Sequence, residues 1–206
     1  AHHMSTIEGG MICTNDAKLY ETFRLLRSHG MVRESSSQEL KESYWKKYPD
    51  LNPDFIFAFP AYNVRNTEIG AIIGRNQLPR LDENNQTRTR NQQIFLENLD
   101  KKKYRTDFRV EGSSNYAFNL ILCDPNHDFT ERLMQRMREE KIEFRRGSAG
   151  GGNQLRQPYL RDLLGDIFQK YPYVDHIHYH GFYIGNYPSL EPQTIVHLCK
   201  ILNSVC

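Results

Sequence analysis

Three observations predict an α/β fold for this 206-residue chain. The apolar run Met11-Ile12-Cys13-Thr14 feeds directly into a helical pattern, as a strand buried on both faces does in an α/β layer. A second strand-then-helix unit recurs at residues 116–140. Between the two units lies a long helix-favouring stretch, of the type that commonly joins two domains.

Taken in order, Gly9-Gly10 and Asn15-Asp16 punctuate the first strand, and Asp16 is placed to cap a helix carrying Leu19, Phe23, Leu25 and Leu26 that stops at Gly30. One strand makes no sheet, so its neighbours are expected to come from elsewhere. Ser35-Ser36-Ser37 starts a short helix in a surface excursion, and Asp50-Leu51-Asn52-Pro53 is a turn. In residues 54–62, Pro60 forbids a central strand, which leaves a buried loop or an edge strand. A helix then starts at Asn66-Thr67-Glu68 with Ile69, Ala71, Ile72, Ile73 and Leu78 on its apolar face. Pro79 kinks it, and a charged pattern carries it on to Lys101-Lys102-Lys103. Beyond Tyr104 the expected order is strand 116–123, helix 129–140, strand 142–145, strand 176–184 and helix 191–202, with antiparallel pairing. The domains that follow are 1–65, a linking helix at 66–103, and a small α/β domain at 104–206.

The 27 basic and 25 acidic residues are well mixed, which argues against nucleic acid as a partner. No apolar run approaches the roughly 18 residues of a membrane span, so neither a membrane partner nor a membrane location is expected. Cys13, Cys123, Cys199 and Cys206 are scattered. That spacing fits free thiols in the cytoplasm and argues against structural zinc or an iron-sulfur cluster. His176, His178 and His180 alternate along the expected third strand and would share a face. No acidic or cysteine pattern supports a metal there, and a packed sheet face is the expected role.

Several motifs stand in sequence. They are Met4-Ser5-Thr6-Ile7-Glu8-Gly9-Gly10 before a strand, Arg27-Ser28-His29-Gly30, Tyr62-Asn63-Val64-Arg65-Asn66-Thr67-Glu68-Ile69, Gln77-Leu78-Pro79-Arg80-Leu81-Asp82, and Gly185-Asn186-Tyr187-Pro188-Ser189-Leu190-Glu191. In this order and spacing they resemble the DegT/StrS-type nucleotide-sugar aminotransferases, a family of fold type I pyridoxal phosphate enzymes with the aspartate aminotransferase-like fold. The resemblance runs the whole chain. It implies that residues 1–65 end the large cofactor-binding domain, and that the chain is a C-terminal portion, inactive without the portion preceding it.

In ordinary members a lysine six positions before the Glu-Gly-Gly acid holds the cofactor as a Schiff base, and here that position is His2. The departure is similar to the family's 3-dehydratase branch. By that resemblance the substrate is a nucleotide-linked 4-keto-6-deoxyhexose, GDP-4-keto-6-deoxy-D-mannose, in dideoxysugar biosynthesis for O-antigen lipopolysaccharide. An imidazole forms no stable imine, so the cofactor would work as pyridoxamine 5'-phosphate, replenished from pyridoxal 5'-phosphate with L-glutamate as amino donor. Histidine, with an ordinary pKa of about 6.5, suits the proton transfer that accompanies loss of the C3 hydroxyl. Ala1-His2-His3-Met4 can also be read as the stub of an expression tag.

The resemblance further implies a homodimer with a shared active site. Asn63 would reach the partner's cofactor phosphate, and Arg65 would lie near the anionic substrate. An amide donor beside a guanidinium suits an oxyanion, but a capping asparagine and a surface arginine would also fit. His29 meets the helix dipole or lies near the sugar. Arg145 and Arg146, ahead of the glycine-rich run 148–154, either cradle phosphates and sugar hydroxyls or belong to a mobile loop. A non-catalytic, dimerising nucleotide-sugar-binding module and a sugar aminotransferase fragment are the alternative functions.

Overall fold

The computed structural model describes residues 2–147 and 151–206, and they form two compact units. His3–Leu78 make the first. Pro79–Cys206 make the second, which also takes in His2.

The first unit is helical. Helix α1 (Ala17–Arg27) starts where the Asp16 carboxylate accepts the backbone N–H of Lys18 (2.8 Å) and Leu19 (3.0 Å). These are two of the four donors a helix start leaves unpaired, so Asp16→Ala is expected to cost about 1 kcal/mol, read as a lower urea midpoint at unchanged slope. The helix ends as expected at Gly30, which has φ +75 and donates to the Leu25 carbonyl at 2.8 Å. Any Cβ at Gly30 would strike the Phe59 carbonyl oxygen, so only glycine allows residues 57–63 to run alongside. Helix α2 (Gln38–Lys47) is capped by Ser37. Helix α3 (Glu68–Gln77) is capped by Thr67. Gly70 and Gly74 of α3 let Thr6 pack on its surface. Gln77 closes the contact by exchanging two hydrogen bonds with the Ser5 backbone, at 2.9 and 2.6 Å. The first and fourth sequence motifs are thereby joined.

Two expectations fail here. Met11-Ile12-Cys13-Thr14 is not a strand, and Met11 and Ile12 are 82% and 70% exposed. A strand needs a ladder partner, and the only pairings among the described residues of this unit are the isolated bridges Ser28↔Asn63 and Met31↔Phe57. Residues 54–62 form neither a buried loop nor an edge strand: a 3-10 turn at Pro53–Phe55 leads into a loop in which Ile56 alone is buried, while Phe55, Phe57 and Tyr62 are exposed.

A 3-10 turn at Leu78–Arg80 contains Pro79, and helix α4 (Leu81–Asn98) follows. It stops at Asn98, short of the expected Lys103. Strand β1 (Ala117–Ile121), helix α5 (His127–Glu139) and strand β2 (Phe144–Arg146) agree with the sequence reading to within a few residues. Helices α6 (Pro158–Leu164) and α7 (Pro172–His180) were not anticipated. Strand β3 (Gly181–Gly185) and helix α8 (Pro192–Asn203) complete the unit.

The sheet has the order β1-β3-β2 and is antiparallel throughout. The register Phe118↔Ile184 and Leu120↔Phe182 sends these side chains to one face. There they meet Phe95, Leu96 and Leu99, Leu133 and Met137 of α5, and Ile195, Cys199 and Leu202 of α8. Phe95 stacks on Phe118 with ring centroids 4.5 Å apart, so the core is aromatic at its centre. Burial in it pushes the Cys199 thiol up to about 12, which makes it an inert packing residue. The register Asn119↔Tyr183 and Arg145↔Tyr183 places these three on the opposite face.

The expected strand over 176–184 is corrected by α7. Pro172 opens the helix at its first turn, where a missing N–H costs nothing, and the strand begins only at Gly181. A Cβ at Gly181 would sit 2.5 Å from the Ile177 carbonyl oxygen, which explains a glycine at this helix-to-strand junction.

Candidate functional site

In the second unit, the imidazole of His2 lies face to face with the ring of Tyr116, with centroids 4.0 Å apart and planes 30° apart. Tyr116 in turn meets the edge of Tyr183, at 6.2 Å. The main-chain carbonyl of His2 accepts a 2.8 Å hydrogen bond from Nη2 of Arg88. His2 is thus held at its ring and at its main chain, and the residue remains exposed to solvent. His3 is half-buried in the first unit.

Behind this pair lies buried polar structure that the sequence reading missed. Asn186, 2% exposed, donates to the carbonyls of Arg88 (2.9 Å) and Asn115 (2.8 Å). It also accepts from Asn91 at 3.2 Å, and its backbone N–H donates to the Tyr116 carbonyl at 2.8 Å. One side chain therefore fixes both segments that touch His2. Arg88 itself is 6% exposed, and burial lowers its pKa. A usable signal was the stripe Phe95, Leu96 and Leu99: continued back by helical turns, it lands on Arg88, Asn91 and Gln92.

In the first unit, the Ser28↔Asn63 bridge and a 2.6 Å bond from the His29 N–H to the Tyr62 carbonyl bring three of the expected site residues together. His29, at φ +61, is exposed, as are Asn63 and Arg65. Arg65 donates from Nε to the Ser28 hydroxyl (3.0 Å) and from Nη2 to the Glu34 carboxylate (3.0 Å). Arg33 approaches the same carboxylate at 3.7 Å, so two guanidinium groups share one negative charge and the cluster keeps a net positive charge. The amide of Asn63 makes no hydrogen bond among the described residues and is open to an external acceptor. An exposed amide and a cationic surplus together suit an oxyanion.

Arg145 and Arg146 lie on β2, both exposed, with Arg145 2.9 Å from Glu143. Of the glycine-rich run, Ser148, Ala149 and Gly150 lie outside the described residues. Gly152, at φ +91, packs so closely on His178 that no Cβ would fit, which gives that glycine a packing role. Asn153 is buried and donates to Asp175 at 2.8 Å, and Asp175 also takes a two-pronged contact from Arg156.

The three alternating histidines lie on α7, so they do not share a strand face. His176 donates from Nε2 to the Leu122 carbonyl (2.7 Å), which can only accept. The Thr130 hydroxyl spends its one proton on the Asn126 carbonyl (2.7 Å), so His180 donates to it from Nδ1 (2.8 Å). Among the described residues, no group of three or more histidine, cysteine, aspartate or glutamate side chains is placed to hold a metal.

Burial lowers the His180 pKa from the ordinary 6.5, helped by His176, His127 and Arg146. The unfolded chain therefore binds this proton more readily than the folded one. Stability is expected to be fully present above about pH 6.5 and to fall as pH drops below it toward the lowered folded value. Melting curves between about pH 7.5 and 5.5 should show that loss, and His180→Gln should flatten it.

The model of the DegT/DnrJ/EryC1/StrS aminotransferase family matches residues 1–203. The chain belongs to this family. The GDP-4-keto-6-deoxy-D-mannose 3-dehydratase of Yersinia pseudotuberculosis is 28% identical over 207 residues, covering 98% of this chain and 51% of that protein. The GDP-perosamine synthase of Escherichia coli O157:H7 is 24% identical over 204 residues, covering 97% and 48%. Among solved structures, the E. coli GDP-4-keto-6-deoxy-D-mannose-3-dehydratase with bound hydrated PLP aligns with a TM-score of 0.72 at 23% identity, covering 98% and 51%. The fold is therefore that of the fold type I, PLP-dependent sugar aminotransferases, as the motifs implied. This DegT/DnrJ/EryC1/StrS chain spans about half the length of the curated relatives it matches. No helix of its described residues is long and apolar enough to cross a membrane.

Proposed function

We propose that this chain, within its full-length protein, takes part in the 3-dehydration of a nucleotide-linked 4-keto-6-deoxyhexose, GDP-4-keto-6-deoxy-D-mannose being the candidate substrate. The observation that carries the reading is His2: it stands six residues before Glu8-Gly9-Gly10, where an aminotransferase needs a lysine, and its ring is held by Tyr116. A sugar aminotransferase is disfavoured for the same reason.

The donor set fits a pyridoxamine or pyridoxal phosphate. The open amide of Asn63 and the cationic Arg65 cluster suit its phosphate, in a homodimer where these residues serve the partner's site. Bound there as the pyridoxamine form, the cofactor supplies an amine for the C4 keto group and a conjugated ring that accommodates the electron pair moved as C3 loses hydroxide. A ring nitrogen of His2 would take the proton that must leave the cofactor's methylene. The imidazole can hold that proton near neutral pH and return it, and it cannot bind the cofactor covalently as lysine does. After loss of water and hydrolysis the products would be a 3-deoxy keto sugar, ammonia and the cofactor oxidised to its aldehyde form, whose amine L-glutamate would restore. His29, Arg145 and Arg146 are proposed substrate contacts, a guanidinium group being suited to the nucleotide's phosphates.

On this reading residues 1–65 end the large domain, 66–103 link, and 104–206 form the small domain. The exposed Met11 and Ile12 would find their strand partners in the rest of the large domain. A cytoplasmic location follows from the soluble nucleotide sugar. Borohydride treatment of the full-length protein loaded with pyridoxal phosphate, followed by denaturation and intact-mass measurement, tests the reading. The unmodified mass is expected; a mass increased by reduced cofactor would refute it.

A further inference from the structure

Arg88 is an arginine in an unfavourable place. It lies 94% out of solvent by its 6% exposure, no carboxylate pairs with it among the described residues, and its Nε and Nη1 have no hydrogen-bond partner. A buried cation without a counter-charge is costly, and so is each buried donor left unmade. The fold does not relieve this cost, because Gln92, one turn further along α4, is buried with both amide atoms unpartnered as well. The hydrogen bond that Arg88 does make goes from Nη2 to the main-chain carbonyl of His2. Local rules are broken where function requires it, and here the break terminates on one residue.

We propose that Arg88 is a positioning residue for His2. This rests on the reading of His2 as the base. The contact is to the backbone, so it sets where residue 2 enters the site without altering the imidazole. The ring is then fixed by its 4.0 Å stacking on Tyr116. Both clamps are referred to one point, because Asn186 holds the Arg88 carbonyl and its backbone N–H holds the Tyr116 carbonyl. Without Arg88, residue 2 would be free to leave the Tyr116 face, and the base would be displaced rather than destroyed.

Replacing Arg88 by methionine separates this role from a structural one. A methionine fills much of the same volume and removes the unpaired charge, so the full-length protein is expected to melt at or above the parent temperature. The turnover number should nevertheless fall by about a hundredfold at nearly constant KM, the usual consequence of misplacing a reacting group by about an ångström. Arg88→Lys, which can still reach a carbonyl, should recover part of that loss.

The independent readout is the ring-proton NMR signal of His2, assigned by its disappearance in His2→Asn. Stacked on Tyr116 it is displaced upfield, and in Arg88→Met it should return toward the position of a free histidine. A His2 signal unchanged in Arg88→Met overturns the proposal, as does a loss of turnover matched by a lower melting temperature. If His2→Asn keeps its dehydration activity, the base assignment fails, while the NMR arm still decides whether Arg88 holds residue 2.

Discussion

Replacing His2 by asparagine in the full-length protein is expected to lower the turnover number for dehydration by about 10²–10⁴-fold, the range a positioned acid or base contributes. Asparagine keeps a planar polar group of similar reach and can still lie on Tyr116, but its amide does not titrate near neutrality. Binding of the nucleotide sugar rests on other residues, so KM should move little. The residual turnover should lack the pH dependence that a titrating general base imposes, because an amide does not titrate in this range. Steady-state kinetics on the nucleotide sugar between about pH 6 and 9 read both features. Retention of parental turnover would place the proton transfer on another group.

Much of the fold was legible because it is written locally. Asp16, Ser37 and Thr67 are side chains that accept backbone donors where a helix begins; Asp16 caps as expected, and the other two fall within the start signals Ser35-Ser36-Ser37 and Asn66-Thr67-Glu68. The strand–helix–strand order from residue 117 to residue 146 follows from apolar periodicity alone. Met11-Ile12-Cys13-Thr14 could not be settled in the same way. A strand is a tertiary object, and this apolar run has no ladder partner among the described residues. Helix α7 was misread over residues 176–180 because Ile177 and Tyr179 favour a strand by type and the histidines alternate, whereas the deciding signal was Pro172 at its first turn.

The candidate site divides along similar lines. His2 was singled out by the family resemblance, which expects a lysine six residues before Glu8-Gly9-Gly10, and the neighbourhood of His29, Asn63 and Arg65 emerged because one glycine, Gly30, lets two segments run together. What holds His2 was not legible. Arg88, Asn91 and Gln92 lie in a stretch so polar that its composition suggests a solvated helix, and only the continuing stripe Phe95, Leu96 and Leu99 shows which face is inside. Asn186 stood in a recognised motif, but its partners are 71 and 98 positions away, a separation no local pattern encodes.

Asn186 is accordingly where the largest stability loss from a single polar change is expected. Truncation to alanine removes the donor shared by the main-chain carbonyls of Arg88, which is buried, and Asn115, which is half-buried, and it removes the acceptor of the buried Asn91 amide. Each buried group left unmade costs about 1–3 kcal/mol, and relaxation or entry of water recovers part of it, so a total of about 3 kcal/mol is expected. Asn91→Ala should cost less, because Asn186 would keep both of its carbonyl partners. Urea unfolding followed by circular dichroism gives the comparison, with the midpoint shifting at constant slope. Asn186 also ties the Arg88 turn to the segment bearing Tyr116, so its loss should release the His2 ring-proton signal even at temperatures where the protein remains folded. Arg88→Met predicts the opposite pairing, a released His2 without lost stability. Together the two variants separate the scaffold of the site from the contact that aims its base.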